Sequence, residues 1–167
     1  MNWVKLLPQQ TQENVDYNDH FYRSRLRALQ STDEMVDGII TRLEEVDLLD
    51  ETYIIFTSDN GFHIGQHRLP PGKACGFDED IRVPFYIRGP GIPKNSVEEA
   101  VTTHVDLAPT FFKIAGMELR EDFDGTPLPI PYSDGVTPIF RHEHVTVEFW
   151  GSAIAEGEYD NFGMSII

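Results

Sequence analysis

Residues 53–57, Tyr-Ile-Ile-Phe-Thr, form a short run of β-formers that the turn-forming residues Ser58-Asp59-Asn60-Gly61 follow directly. An uninterrupted apolar run of this length is typical of a strand that is buried on both faces of a parallel sheet. Such a strand needs helices to cover its faces. The run therefore predicts an α/β protein.

The segment before this run has the pattern of a long amphipathic helix. Apolar residues recur at helical spacing from Phe21 to Leu43, and Asn18 or Asp19 is a suitable N-cap. Residues 1–17 are polar, with Pro8 and several glutamines, and we expect them to be irregular. A helix of this kind needs a sheet to cover its apolar side.

Strands and helices continue beyond residue 58. A long loop with Gly and Pro leads to a second predicted strand at residues 83–87, which Arg88-Gly89-Pro90-Gly91 ends. We expect a short strand at residues 100–103 and a helix at residues 106–115, with Pro109 in its first turn and Gly116 at its end. Residues 120–139 predict a linker, and residues 145–149 alternate like a strand.

Length and charge limit the class of protein. The 167 residues suit one domain, which we place at residues 18–119, after the irregular segment 1–17 and before a linker and the start of a smaller region at residues 120–167. The net charge of −15 repels phosphate backbones and anionic headgroups. We therefore expect neither a nucleic-acid nor a membrane partner.

The first residues, Met1-Asn2-Trp3-Val4-Lys5, lack the zones of a signal peptide. The protein is then either intracellular or begins further upstream, and we favour the second interpretation. Cys75 is the only cysteine, so an internal disulfide is impossible and disulfide content cannot indicate the cellular compartment.

Polar side chains follow the first predicted strand at the edge where ligands bind in open α/β sheets. Asp59 and Asn60 offer a carboxylate and an amide oxygen, which are hard ligands of the kind that Ca²⁺ or Mg²⁺ prefers. Lys73 adds a positive charge that suits a tetrahedral oxyanion. Taken alone, however, Asp-Asn-Gly is more often an ordinary turn, and a lone lysine is usually solvated.

Two histidines lie four residues apart in the same loop. His63 and His67 have the spacing of a helical zinc pair, but Gly65 interrupts them and Pro70-Pro71 follows. We therefore do not expect a zinc pair. The acidic run Asp78-Glu79-Asp80 predicts a solvated loop edge.

These motifs together resemble the second signature region of the sulfatase family, in particular its fungal arylsulfatases and glucosamine-6-sulfatases. The resemblance rests on residues in the family's order and spacing: Tyr53 to Gly61, Gly65-Gln66, Gly72-Lys73, Arg82-Val83-Pro84, Arg88 to Gly91 and Thr103 to Thr110. It implies an incomplete alkaline-phosphatase-like α/β/α sandwich with a mainly parallel sheet, formed by the C-terminal half of the catalytic domain.

The resemblance also implies roles for individual residues. Asp59 and Asn60 match the pair that binds the active-site calcium, and Lys73 matches the catalytic lysine that contacts the sulfate ester. His63 and His67 lie toward the substrate, with His67 as the better candidate for a contact. The family's full-length members imply a secreted, extracellular or lysosome-like protein.

The nucleophile that the resemblance implies has no counterpart in this sequence. Family members make formylglycine from the cysteine of a Cys-x-Pro-x-Arg motif, whereas Cys75 is followed by Gly76-Phe77-Asp78-Glu79. A second pair of aspartate ligands for calcium has no counterpart either. We therefore expect the chain alone to be inactive, and to hydrolyse sulfate esters only together with a missing N-terminal half.

Two alternatives to a sulfatase fragment stay open. One is a phosphomonoesterase or phosphonate hydrolase of the same superfamily, which binds its metal in a similar way. The other is a non-catalytic remnant that is kept as a binding module. The sequence names neither the sulfate ester nor the oligomeric state.

Overall fold

The computed structural model describes residues 3–73, 75–132, 135 and 144–147. These residues fall into two compact units. The first takes in residues up to 49 together with 55–86 and residue 147, and the second takes in residues 50–54 and the rest from 87 to 146. Among the described residues, no helix combines the length and the hydropathy that crossing a membrane would require.

Helix α1 spans Gln12–Glu45 and dominates the first unit. Thr11 caps it in a capping box with Asn14, in which each residue's side chain accepts a hydrogen bond from the other's backbone N–H. The predicted start at Asn18 or Asp19 was therefore too late. Asn18 is buried inside the helix, and its amide donates to Gln10 Oε1 at 3.2 Å.

Strand β1 covers Ile54–Thr57 and pairs with β2, Phe85–Arg88, in a two-stranded sheet. Both strands were predicted, although β2 begins two residues later, after Pro84, which lacks an N–H for the ladder. Phe56 and Tyr86 are 37% and 68% exposed. The strands are thus less buried than predicted, because the described residues give each of them only one neighbour.

A short helix, α2 at Asp78–Ile81, precedes β2. In the second unit, a 3-10 turn at His104–Asp106 leads into α3 at Leu107–Ile114, and Gly116 follows with φ 69°. This helix and its glycine stop were predicted. Residues 100–103, predicted as a strand, have no regular structure; neither have residues 145–147, and residues 148–149 lie outside the described part.

The core of the second unit comes from residues 128–132, within the predicted linker. Leu128, Ile130 and Tyr132 are buried and pack against Leu107 and Ile114. The buried Thr110 hydroxyl accepts a hydrogen bond from Leu128 N at 2.8 Å and donates one to Asp106 O at 2.6 Å. These contacts tie the segment to α3. The mixture of helices and strands over the described residues confirms the predicted α/β class.

Candidate functional site

The loop after β1 is held by backbone hydrogen bonds at two places. Gly61 N donates to Asp80 O at 2.8 Å, and Phe62 N donates to Glu79 O at 2.7 Å, which fixes the start of the loop to α2. His63 and Gly72 then form an antiparallel bridge with N–O distances of 2.9 and 3.0 Å. The predicted site residues therefore project from an anchored loop.

Gly61 is required by this anchoring. A Cβ atom on Gly61 would lie only 2.8 Å from the carbonyl carbon of Glu79 and would also meet its oxygen. Such separations do not occur between real atoms, so a larger residue would push the loop away from α2. The glycine predicted as a turn residue thus serves a close backbone approach.

Lys73 and Asn60 meet at the outer surface of the loop. Lys73 Nζ donates to Asn60 Oδ1 at 3.2 Å although the two residues are thirteen positions apart. Asp59 is exposed, and its Oδ1 accepts from the N–H of Asn60 at 2.9 Å. The structure thus brings the predicted oxyanion lysine to Asn60, one of the two predicted metal ligands.

The chemistry of Asp59 and Asn60 fits a hard cation in part. Both present oxygen atoms, and an amide oxygen has two lone pairs, so Asn60 Oδ1 can accept from Lys73 and still face an ion. Calcium takes about six to eight oxygens, and these two side chains supply a minority of that number.

His63, in the same loop, is buried. Its Nδ1 is 2.8 and 2.9 Å from the two carboxylate oxygens of Asp80, and both residues are 4% exposed. The prediction that Asp78, Glu79 and Asp80 form a solvated loop edge is therefore wrong for Asp80. Its side chain points inward from α2 because the helix ties residues 79–80 to the loop.

His67 is more accessible than His63. Its side chain is 35% exposed, its ring stacks on Phe77 with centroids 3.8 Å apart, and its Nε2 lies 3.1 Å from Glu79 Oε2. Hydrogen bonds from the Glu79 backbone N–H and from His67 hold the pKa of Glu79 below its ordinary value. The backbone at His67 has φ 56°. The contacts with Phe77 and Glu79 fix its ring orientation.

Cys75 lies against the His63–Asp80 pair. One ligand atom from each of His63, Cys75 and Asp80 lies within 4.8 Å of the others. Burial, and next the charge of Asp80, raise the pKa of the Cys75 thiol. Because Cys75 lies outside a Cys-x-Pro-x-Arg motif, it does not fit a formylglycine precursor. The sequence did not reveal this cluster, because its members lie on separate segments and follow no helical or strand spacing.

Comparisons with known proteins identify the family of the chain. The sequence profile of the family described as Sulfatase matches residues 5–117. The sulfatase ppz1 of Metarhizium majus is 49% identical over 131 residues, which cover 78% of this chain and 31% of that protein. The arylsulfatase of Volvox carteri is 41% identical, covering 89% of this chain and 25% of that protein. The chain thus spans between a quarter and a third of the length of these relatives.

Two solved structures resemble the chain. One was determined in complex with its substrate D-glucosamine-2-N,6-O-disulfate and is 36% identical, with a TM-score of 0.61 over 68% of this chain and 23% of the other. The second, a phosphonate monoester hydrolase from Silicibacter pomeroyi, is 31% identical, with a TM-score of 0.57 over 65% and 21%. The family profile covers well over half of the residues, and the chain therefore belongs to the sulfatase family.

Proposed function

We propose that the chain supplies one part of the active site of a sulfate-ester hydrolase. In this proposal Asp59 and Asn60 hold a calcium ion, and Lys73 binds the sulfate group and stabilises the leaving oxygen. The observation that carries the proposal is the 3.2 Å contact between Lys73 Nζ and Asn60 Oδ1. This contact supports the proposal because it joins the ammonium group of Lys73 to an oxygen of one of the two proposed calcium ligands.

Charge explains how this arrangement suits a sulfate ester. A bound calcium ion supplies positive charge that polarises sulfate oxygens. Lys73 contributes a second positive charge near Asn60, and two neighbouring cations repel each other unless an anion lies between them. A sulfate group provides that anion, so the loop with its ion would attract a negatively charged ester.

His67 is our candidate for a further substrate contact. It is partly exposed, and Phe77 and Glu79 fix its ring, so it can present a defined edge to a bound ester. A direct contact by His63 stays a prediction without support from its position, because that ring is 4% exposed and faces Asp80.

We further propose that hydrolysis needs residues beyond this chain. Its only cysteine is outside the formylglycine motif, and Asp59 with Asn60 gives calcium too few oxygens. A secreted or lysosome-like location is part of the proposal, supported by relatives that are named extracellular sulfatases.

A chimera tests the proposal. Residues 5–117 replace the matching segment of the Volvox carteri arylsulfatase, and turnover of a chromogenic aryl sulfate is measured with calcium and after chelation. We expect calcium-dependent turnover, and a loss of about 10²–10³-fold in kcat for Lys73→Ala, the scale seen when an oxyanion donor is removed. Asp59→Ala should raise the calcium concentration needed.

The matched control is Lys94→Ala, which removes an exposed lysine of the second unit. Full activity of the Lys73→Ala chimera, or equal losses in both variants, would refute the role of Lys73. Faster turnover of a phosphate or phosphonate ester than of the sulfate ester would favour the superfamily alternative. An inactive but folded chimera would favour a non-catalytic module, and turnover by the chain alone would contradict the need for further residues.

A further inference from the structure

The cluster of His63, Cys75 and Asp80 lies outside the proposed catalytic surface. It joins three side chains of different chemistry, a nitrogen, a sulfur and a carboxylate oxygen, within 4.8 Å of one another. His63 and Asp80 are each 4% exposed, and Cys75 is partly buried. The cluster therefore combines three different donor atoms at a place where two of the three residues are buried.

The donor set decides which ion fits. Thiolate sulfur and imidazole nitrogen suit borderline-soft ions such as Zn²⁺ and Co²⁺, whereas Ca²⁺ and Mg²⁺ prefer oxygen alone. Three protein ligands also leave a fourth tetrahedral position for water. We propose that His63, Cys75 and Asp80 form a second metal site, which binds a zinc-type transition-metal ion and is distinct from the calcium ligands Asp59 and Asn60.

Charge balance supports the site. A thiolate and a carboxylate carry two negative charges, which a divalent cation cancels, so the occupied site is neutral in its buried surroundings. Without an ion, burial and the charge of Asp80 raise the pKa of the Cys75 thiol. Binding an ion overcomes this, because metal coordination deprotonates a thiol.

Binding of the ion releases one proton and widens one contact. The Cys75 thiol releases its proton to solvent. The hydrogen bond to the Asp80 carboxylate needs a proton on Nδ1 of His63, so this proton moves to Nε2, and the neutral ring then coordinates the ion through Nδ1. The ion takes the place between Nδ1 and the Asp80 carboxylate, which are 2.8 Å apart. Tetrahedral bonds of about 2.0–2.1 Å separate two ligands by about 3.3 Å, so the pair must open by roughly half an ångström.

Occupation of the site would connect two functional segments. Asp80 belongs to α2, Cys75 is two residues beyond Lys73, and His63 lies in the loop that carries Asn60. One ion would therefore crosslink the segments that present the catalytic lysine and the calcium ligand. This consequence depends on the proposed function, whereas the binding site itself does not.

Cobalt titration of the metal-free chain tests the site. Co²⁺ is added under reducing conditions, and the near-ultraviolet band of thiolate-to-cobalt charge transfer is recorded. Because Cys75 is the only cysteine, this band can arise from no other residue. We expect one equivalent of Co²⁺ to saturate the band, with a molar absorptivity that does not change with protein concentration. Zn²⁺ should then displace the Co²⁺ and remove the band.

Two variants assign ligands, and two more serve as controls. Cys75→Ser should abolish the band, and Asp80→Asn should weaken Co²⁺ binding by at least about tenfold, since even outer partners of a metal ligand contribute that much. His20→Gln removes an exposed histidine of α1 and should bind like the wild-type chain. Asp59→Asn should also leave the band unchanged, which separates this site from the calcium site.

Three results would each exclude the site: a titration without a charge-transfer band, a band that appears only as chains pair at high concentration, or Co²⁺ binding that persists in Cys75→Ser. Asp80→Asn removes a buried carboxylate and can unfold the chain, which circular dichroism detects. In that event the charge-transfer band of the wild-type chain and its loss in Cys75→Ser decide whether the metal site exists. This result does not depend on the outcome of the sulfatase assay.

Discussion

Asp80 is buried on a helix of only four residues, and its carboxylate faces the imidazole of His63. Removing a buried partner leaves the other group without its hydrogen bond, which costs about 1–3 kcal/mol. We therefore expect Asp80→Ala to lower the free energy of unfolding by about that amount in urea denaturation. Asp78→Ala, an exposed neighbour on α2, should change it by less than about 0.5 kcal/mol. Equal effects of the two substitutions would contradict the pairing.

Glu79 makes a pH dependence predictable at the same scale. Hydrogen bonds from its own backbone N–H and from His67 lower its pKa from the ordinary value of 4.5. A depressed folded-state pKa stabilises the fold above the unfolded-state value, and this contribution is lost as the pH falls through the folded-state value. The unfolding midpoint of Glu79→Gln should therefore differ from the wild type near neutrality and converge with it in acid.

A His67→Gln background provides the control for this experiment. The backbone N–H of residue 79 remains, so the effect of Glu79→Gln on the unfolding midpoint should shrink in this background without disappearing. An effect that grows in acid would have the wrong sign and would refute the assignment.

At the scale of elements, two glycines differ in the space around them: one could carry a side chain without a clash, and the other lies against a neighbouring backbone. Gly38 lies inside α1, where an added Cβ meets nothing within 4 Å, so Gly38→Ala should raise stability by about 0.5–1 kcal/mol. Gly61→Ala should instead lower it, because its Cβ would collide with the Glu79 carbonyl. Thermal denaturation measures both changes, and shifts in the same direction would contradict the anchoring of the loop to α2.

The attachment of residues 128–132 to α3 gives a second prediction for an element. Thr110→Val keeps the volume but leaves the N–H of Leu128 without its acceptor in a buried place. We expect a loss of about 1–3 kcal/mol in the free energy of unfolding. Thr102→Val, at an exposed position, is the matched substitution and should be nearly neutral. An equally stable Thr110→Val variant would show that the hydroxyl is not needed.

At the scale of the whole molecule, α1 leaves apolar surface uncovered. Tyr22, Leu26 and Leu29 share one helical side, and each is 46% exposed. Exposed apolar side chains that cluster promote association. We expect the double variant Leu26→Gln with Leu29→Gln to associate less, so that the average mass of the sedimenting particles falls. Arg27→Gln, which changes a polar neighbour, should leave this average mass unchanged. An unchanged mass in the double variant would exclude this side of α1 as the contact.

The sequence by itself determined the elements whose causes are local. The β-formers of residues 53–57, the helical stripe before them, and the Pro109 and Gly116 signals of α3 all appear where they were expected. The motifs in these elements were also enough to identify the sulfatase family. The start of α1 was missed because the capping box of Thr11 and Asn14 was not recognised among the polar residues that precede the stripe.

The tertiary structure decided which distant residues meet. That Lys73 contacts Asn60, that His63 pairs with Asp80 beside Cys75, and that residues 128–132 form a core all depend on how separate segments pack. An acidic residue is expected to be solvated when only its sequence is known, because its burial depends on a partner that no local pattern reveals. Local rules specify turns and periods, whereas burial and charge pairing belong to the folded chain.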